Sequence, residues 1–283
     1  MLASQPKEVI GVVHLPRLPY AYYRPPSTIS DLAEYGAKDA AVLEKLGYTG
    51  VIVENYGDAP FSPRVEDPLA IAAMTVIVRE VVKSTSLKVG VNLLRNSGRE
   101  AYSIAVAAGA KFIRVNALIE PVISDAGVLE PEAPRLKPLM LNYPGIEVYA
   151  DILVKHATSL RMPLATLEAP TPLSKGALED YLRELIEEYA QRGGASALVV
   201  TGLKTGEPPP LRLVELIKKL SPLPVIVGSG VTAENVLKVL EVCDGVIVGS
   251  FIKVGGRAGN PVDPERARTV ISRIRERFII AKY

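Results

Sequence analysis

Polar, chemically useful residues collect directly after short apolar runs in this chain. His14 closes one run, and Glu54-Asn55-Tyr56-Gly57-Asp58 follows the next. Asn92, Arg95 and Asn96 follow a third, Arg114 and Asn116 a fourth, and Asp151, Lys155 and His156 a fifth. Thr201-Gly202, Gly228-Ser229-Gly230 and Gly249-Ser250 follow the last three. The residues in front of the same runs are mainly Gly, Lys and Pro. Carboxylates beside histidines suit proton transfer, because imidazole titrates near neutrality and a desolvated carboxylate titrates closer to it. On this basis Asp151 and Glu54 are the acid–base candidates, assisted by His14 and His156. The alternative for Asp151 is simple neutralisation of Lys155 or Arg114. Two histidines with two or more carboxylates are also a donor set for one divalent metal. Lys155 is a charge contact, or a Schiff-base lysine if desolvated.

The glycine pairs suggest a second chemistry. Gly228-Ser229-Gly230 and Gly249-Ser250 leave the backbone bare, so N–H groups can approach anionic oxygens. Thr201-Gly202 offers a further donor. Either of two readings explains one such turn, a tight turn or an anion cradle, but two at successive strand ends favour a phosphate site. Asn55, Asp58, Asn92, Arg95, Asn96, Arg114 and Asn116 are then candidates to hold the rest of a ligand.

The apolar runs are Val9–Val13, Gly50–Val53, Lys88–Val91, Lys111–Val115, Glu147–Ile152, Ala197–Val200, Pro224–Val227 and Gly245–Val248. Several are apolar on both faces, as parallel strands covered by helices must be. Helical patterns separate them. Ser30 or Asp31 caps a helix ending at Leu46-Gly47, and Asp67-Pro68 and Asp263-Pro264 each put a capping side chain before a first-turn proline. A stripe from Leu178 to Tyr189 ends at Gly193, and a helix begins near Thr232. The fourth unit, Asn116 to Gly145, is long and proline-broken, with one short helix near Pro134–Leu141. Eight strand–helix units in 283 residues predict a single-domain (β/α)8 barrel; a doubly wound open sheet is the alternative. In a barrel the strand-end residues form the active face, and the last two loops are the usual phosphate site.

Composition narrows the function classes. The net charge is +2, which argues against nucleic acid as a partner. One cysteine, Cys243, excludes an internal disulfide and a cysteine-based zinc site. No run approaches a membrane span and no leader pattern opens the chain, so a cytoplasmic protein is expected. Scarce glutamine and frequent loop proline point to a thermophile. A hydrophobic fraction of 48% and the long fourth unit point to a homo-oligomer.

The strings "GVVHLPRLP", "GVIVENYGDAPF", "VGVNLLRN", "FIRVN", "YADILVKH", "VTGLKTG", "VIVGSGVTAENV" and "DGVIVGSFIKVGG" occur in that order. Together they resemble the BtpA family, including its SgcQ-like bacterial members. The resemblance spans Ile10 to about Arg268. It implies a TIM barrel with a phosphate site of the ribulose-phosphate-binding type. The family takes its name from a role in accumulating photosystem I reaction-centre proteins, and other members are described as sugar-phosphate- or nucleoside-handling enzymes. Two departures stand out. Tyr20-Ala21-Tyr22-Tyr23 occupies a turn that usually contains glycine, and Ser124-Asp125-Ala126-Gly127 replaces a Thr-Asp-Gln-Gly-like block, which removes a glutamine contact. The functional expectation is an isomerase, epimerase or lyase acting on a small phosphorylated metabolite, with a non-catalytic biogenesis factor or metabolite sensor as the alternative.

Overall fold

The computed structural model describes residues 6–153, 158–159, 175–202 and 207–281. Eight parallel strands close into a barrel. In chain order they are β1 (Glu8–His14), β2 (Gly50–Glu54), β3 (Lys88–Asn92), β4 (Phe112–Val115), β7 (Glu147–Ile152), β9 (Ala197–Val200), β10 (Val225–Val227) and β11 (Gly245–Val248). β1 pairs with both β2 and β11, so no edge is left open, and the open-sheet alternative is excluded. Among the described residues eight helices accompany the strands: α1 (Ile29–Leu46), α2 (Pro68–Ser84), α3 (Gly98–Ala108), α4 (Ala133–Asn142), α5 (Lys175–Glu188), α6 (Leu211–Leu220), α7 (Val236–Glu241) and α8 (Pro264–Arg275).

Two apolar layers result. Ile10, Val12, Ile52, Phe112, Tyr149, Val199, Ile226 and Ile247 fill the barrel interior. The alternate residues of the same strands, such as Val9, Val51, Val148 and Val246, pack outward against the helices. At the strand N-termini, Lys88 Nζ reaches Glu147 at 2.8 Å and the Tyr149 hydroxyl at 2.7 Å. Together with Glu8 this cluster closes the lower end.

The caps at Asp67 and Asp263 form as expected, each side chain accepting from two backbone N–H groups of the first turn. Three local expectations are corrected. Thr28, rather than Ser30 or Asp31, caps α1: its hydroxyl accepts from the Asp31 N–H, while the Asp31 carboxylate accepts from the Thr28 N–H. α5 runs into a π-turn at Tyr189–Gly193, and this extra residue moves the left-handed stop to Gly194. α7 begins at Val236, because Asn235 folds back to accept from the Thr232 N–H and donate to the Gly230 carbonyl. The fourth unit contains α4, as the pattern suggested. It also holds a hairpin of β5 (Val122–Ser124) and β6 (Gly127–Leu129), with β8 (Thr158–Ser159) beside β5.

Candidate active site at the strand C-termini

Strand parity places the site. Each interior residue is followed two positions later by another that points the same way. Val12 is followed by His14, Ile52 by Glu54, Phe112 by Arg114 and then Asn116, and Tyr149 by Asp151. The register sets His14 beside Glu54 and Glu54 beside Asn92, so three polar residues stand at one level on adjacent strands. Above them is a cavity of about 480 Å³, lined by His14, Glu54, Asn92, Arg114 and Asn116 on one side and by the loops after β10 and β11 on the other.

Glu54 is the carboxylate of the β2 end that meets this cavity. Its Oε2 accepts from Asn92 Nδ2 at 2.7 Å, and its Oε1 lies 3.8 Å from His14 Nε2. His14 Nδ1 accepts from the Gly259 N–H at 3.2 Å, so in the neutral ring the proton sits on Nε2, on the side of Glu54. The Tyr56 ring, 4.5 Å away centre to centre, holds the imidazole plane.

Asp151 departs from the expected role. It is fully buried and does not line the cavity. Arg114 Nε and Nη2 bind its two oxygens at 2.8 and 3.0 Å, and Asn116 Nδ2 adds a bond of 2.9 Å. Burial works against the Arg114 charge, but Asp151 and, more distantly, Glu54 outweigh it and hold the guanidinium above its ordinary pKa. The neutralisation alternative is therefore the observed one: Asp151 positions Arg114.

Other candidates separate in the same way. Asp58 accepts from the Leu18 N–H, the Tyr20 hydroxyl and Asn55 Nδ2. Asn55 also accepts from the Leu94 N–H. Asn96 accepts from the Ala117 N–H and donates to two carbonyls. These three residues were expected to touch a ligand; instead they knit together the loops around the mouth, and none lines the cavity. Arg95 does line it, but is held in a two-bond ion pair with Asp125 at the tip of the β5–β6 hairpin. Lys155 and His156 lie outside the described residues.

The anion loops are more restricted than the glycine pattern suggested. The Gly202 N–H donates to the Ser229 hydroxyl, which in turn donates to the Glu207 carbonyl. Both groups are thus spent on tying the loop after β9 to the loop after β10, and neither they nor Thr201 adds a donor at the cavity. Gly230 has φ of +67°, and a Cβ there would come within 2.0 Å of the Pro208 nitrogen. Packing alone requires that glycine. Gly249 differs: a Cβ there would meet nothing closer than His14 Cε1 at 3.6 Å. Its bare backbone is not dictated by packing. Among the described residues, no hydrogen-bond partner occupies the N–H groups of Ser229, Gly230, Gly249 and Ser250.

One residue at this end escaped sequence reasoning. Arg266, on the first turn of α8, lines the cavity beside these loops. Its Nε donates to the Phe251 carbonyl at 2.6 Å, and its guanidinium lies 4.5 Å from the Phe251 ring centre. Gly256 leaves room for Nη2, which a Cβ would approach to 2.9 Å. Among the described residues Arg266 forms no ion pair; Glu234 is held below the usual carboxylate range mainly by its hydrogen bond with Thr232, with the field of Arg266 a small addition. Only its place two residues past the Asp263-Pro264 cap marked it in the sequence. Among the described residues no group of three or more His, Cys, Asp or Glu side chains converges, and His156, one of the two histidines of the suggested metal set, lies outside them.

Comparison with known proteins places this geometry in context. The model of the BtpA family matches residues 5–276. An uncharacterised protein of Thermococcus kodakarensis is 39% identical over 271 residues, covering 95% of this chain and 96% of the relative. The photosystem I biogenesis protein BtpA of Synechocystis sp. is 34% identical over 274 residues, covering 95% and 88%. Among solved structures, (S)-3-O-geranylgeranylglyceryl phosphate synthase from Thermoplasma acidophilum superposes with a TM-score of 0.56 at 18% identity, covering 98% of this chain and all of that one. N-(5'-phosphoribosyl)anthranilate isomerase from Pyrococcus furiosus gives 0.54 at 17% identity, covering 95% and 99%. At such identities these two share the fold.

Proposed function

We propose that this chain, which belongs to the BtpA family, is an enzyme that moves a proton on a small phosphorylated metabolite. The phosphate sits against the loops after β10 and β11, beside Arg266. Glu54 is the general base, and His14, its tautomer fixed by the Gly259 N–H, carries the proton to or from the other reacting atom. Arg114, oriented by Asp151, lines the cavity as a hydrogen-bond donor where an enolate-like oxygen would develop. Isomerisation, epimerisation and aldol-type C–C cleavage all share that proton step. The observation that carries the reading is the cavity itself: a carboxylate–imidazole pair on one side and, on the other, backbone N–H groups and an arginine with no hydrogen-bond or ion-pair partner, respectively, among the described residues. The phosphate compounds in the names of the fold neighbours agree with it by analogy only.

The test is a turnover screen of sugar phosphates and nucleotides, with and without divalent metal, comparing wild type with Glu54→Gln. Loss of at least about a hundredfold in the variant is expected, the low end for removing an acid–base group. An active wild type matched by the variant would remove Glu54 from the chemistry. A second reading is a non-catalytic assembly factor that keeps the ligand site. It draws on the Synechocystis relative's name and on the full commitment of Asp151 to Arg114, which leaves Glu54 to carry the acid–base role. Wild type that binds a phosphorylated compound yet turns over none of the screen would favour it.

A further inference from the structure

The cavity is electrically lopsided. At the loop end, Arg266 is a guanidinium without an ion pair among the described residues, next to four unengaged N–H groups. At the strand end the lining arginines are already neutralised: Arg114 by Asp151 and Arg95 by Asp125. The buried Lys253, whose field reaches Glu54, is balanced by Asp39 at 3.1 Å. Among the described lining residues Glu54 therefore keeps an uncompensated negative charge, with its Oε1 making no hydrogen bond within 3.5 Å. Two further oxygens add to the negative potential. Asn92 and Asn116 each donate Nδ2 to a carboxylate, which fixes the orientation of the amide. Their Oδ1 atoms are buried acceptors with no donor among the described residues.

Resting on the phosphate reading above, we infer that the ligand is a single-ended anion: a phosphate monoester whose remaining body is neutral and rich in hydroxyl donors, as in an aldose or polyol monophosphate. A hydroxyl at the strand end gives Glu54 Oε1 the donor it lacks. A carboxylate or second phosphate there meets the charge of Glu54, whose burial leaves it weakly screened. Bisphosphates and phosphorylated carboxylic acids are thus rejected by the end of the cavity that does not hold the phosphate.

The experiment is calorimetric titration of wild type and Glu54→Gln with four probes: inorganic phosphate, ribose 5-phosphate, ribulose 1,5-bisphosphate and 3-phosphoglycerate. Wild type should bind ribose 5-phosphate at least tenfold more tightly than either double-ended anion. Glu54→Gln should narrow that gap at least threefold, chiefly by improving the double-ended compounds. Equal affinities in wild type, with inorganic phosphate still bound, would overturn this inference and leave the phosphate site standing. A gap unchanged in Glu54→Gln would also overturn it. Failure of all four probes to bind would instead refute the phosphate reading, and this inference with it.

Discussion

Asp151 and Glu54 look alike in the sequence, each an acid at the end of an apolar strand, yet they end in opposite situations. Asp151 has both oxygens engaged by Arg114 and Asn116, away from the cavity. Glu54 keeps Oε1 toward His14 and the cavity. The difference lies in the neighbouring strand: β4 supplies Arg114 two positions below Asn116, whereas β3 supplies Asn92, a neutral donor. Removing one member of a buried ion pair leaves the other uncompensated, typically at a cost of about 3–5 kcal/mol. Asp151→Ala should therefore lower the unfolding free energy by about that much in a urea titration. A loss below about 1 kcal/mol would show that Arg114 finds another partner or water. The ends of the apolar runs made His14, Glu54, Asn92, Arg114, Asn116 and Asp151 legible as strand-end residues. Which carboxylate faced a ligand was not, because that depends on pairings between strands that only the register decides.

At the scale of elements, the strands were the most legible feature and the connections the least. Barrel strands buried on both faces leave continuous apolar runs, and each of the eight predicted runs overlaps a barrel strand. The β5–β6 hairpin was hidden because three-residue strands carry no readable alternation. Its function in the fold is to bring Asp125 to Arg95 over the cavity. The start of α1 was misplaced because Thr28, Ser30 and Asp31 are all acceptable caps, and only the reciprocal bonding of Thr28 with Asp31 distinguishes them. Loss of such a cap costs about 1 kcal/mol. Thr28→Ala should lower stability by about that amount, read by chemical denaturation, whereas Ser30→Ala should leave it within about 0.5 kcal/mol. Equal effects would place the cap elsewhere. Arg266 was missed for a related reason: a helix first turn does not reveal which way its side chains lean.

For the whole molecule, burial sets an alkaline limit. Burial, with a smaller contribution from Asp58 for Tyr20, raises the hydroxyls of Tyr20 and Tyr48 above their ordinary value of 10.0. Burial likewise pushes the Cys243 thiol from 9.0 up to about 12. The unfolded chain releases these protons near pH 9–10 while the native protein retains them, so the native state binds more protons there and stability falls as pH rises. Burial lowers the pKa of Lys253, which acts in the opposite direction but is a single group. Melting temperatures by circular dichroism should hold steady from pH 7 to 8.5 and drop between pH 9 and 11, window edges set to about a unit by these groups. A flat profile across that range would show that these groups titrate in the native state.

An anion held between the loops after β10 and β11 is the central feature of the proposed site. Calorimetric titration with inorganic phosphate tests this without knowledge of the substrate. Three proteins are compared: wild type, Arg266→Gln and Ser250→Asp. Arg266→Gln removes the unpaired guanidinium at that end, and Ser250→Asp places a like charge beside the bare N–H groups while avoiding Gly230, where any side chain would strain the backbone. Wild type should bind phosphate, and each variant should bind it at least about tenfold more weakly, a change of about 1.4 kcal/mol. Phosphate binding that is absent in wild type, or equal in all three proteins, would contradict the assignment of this cavity as a phosphate site.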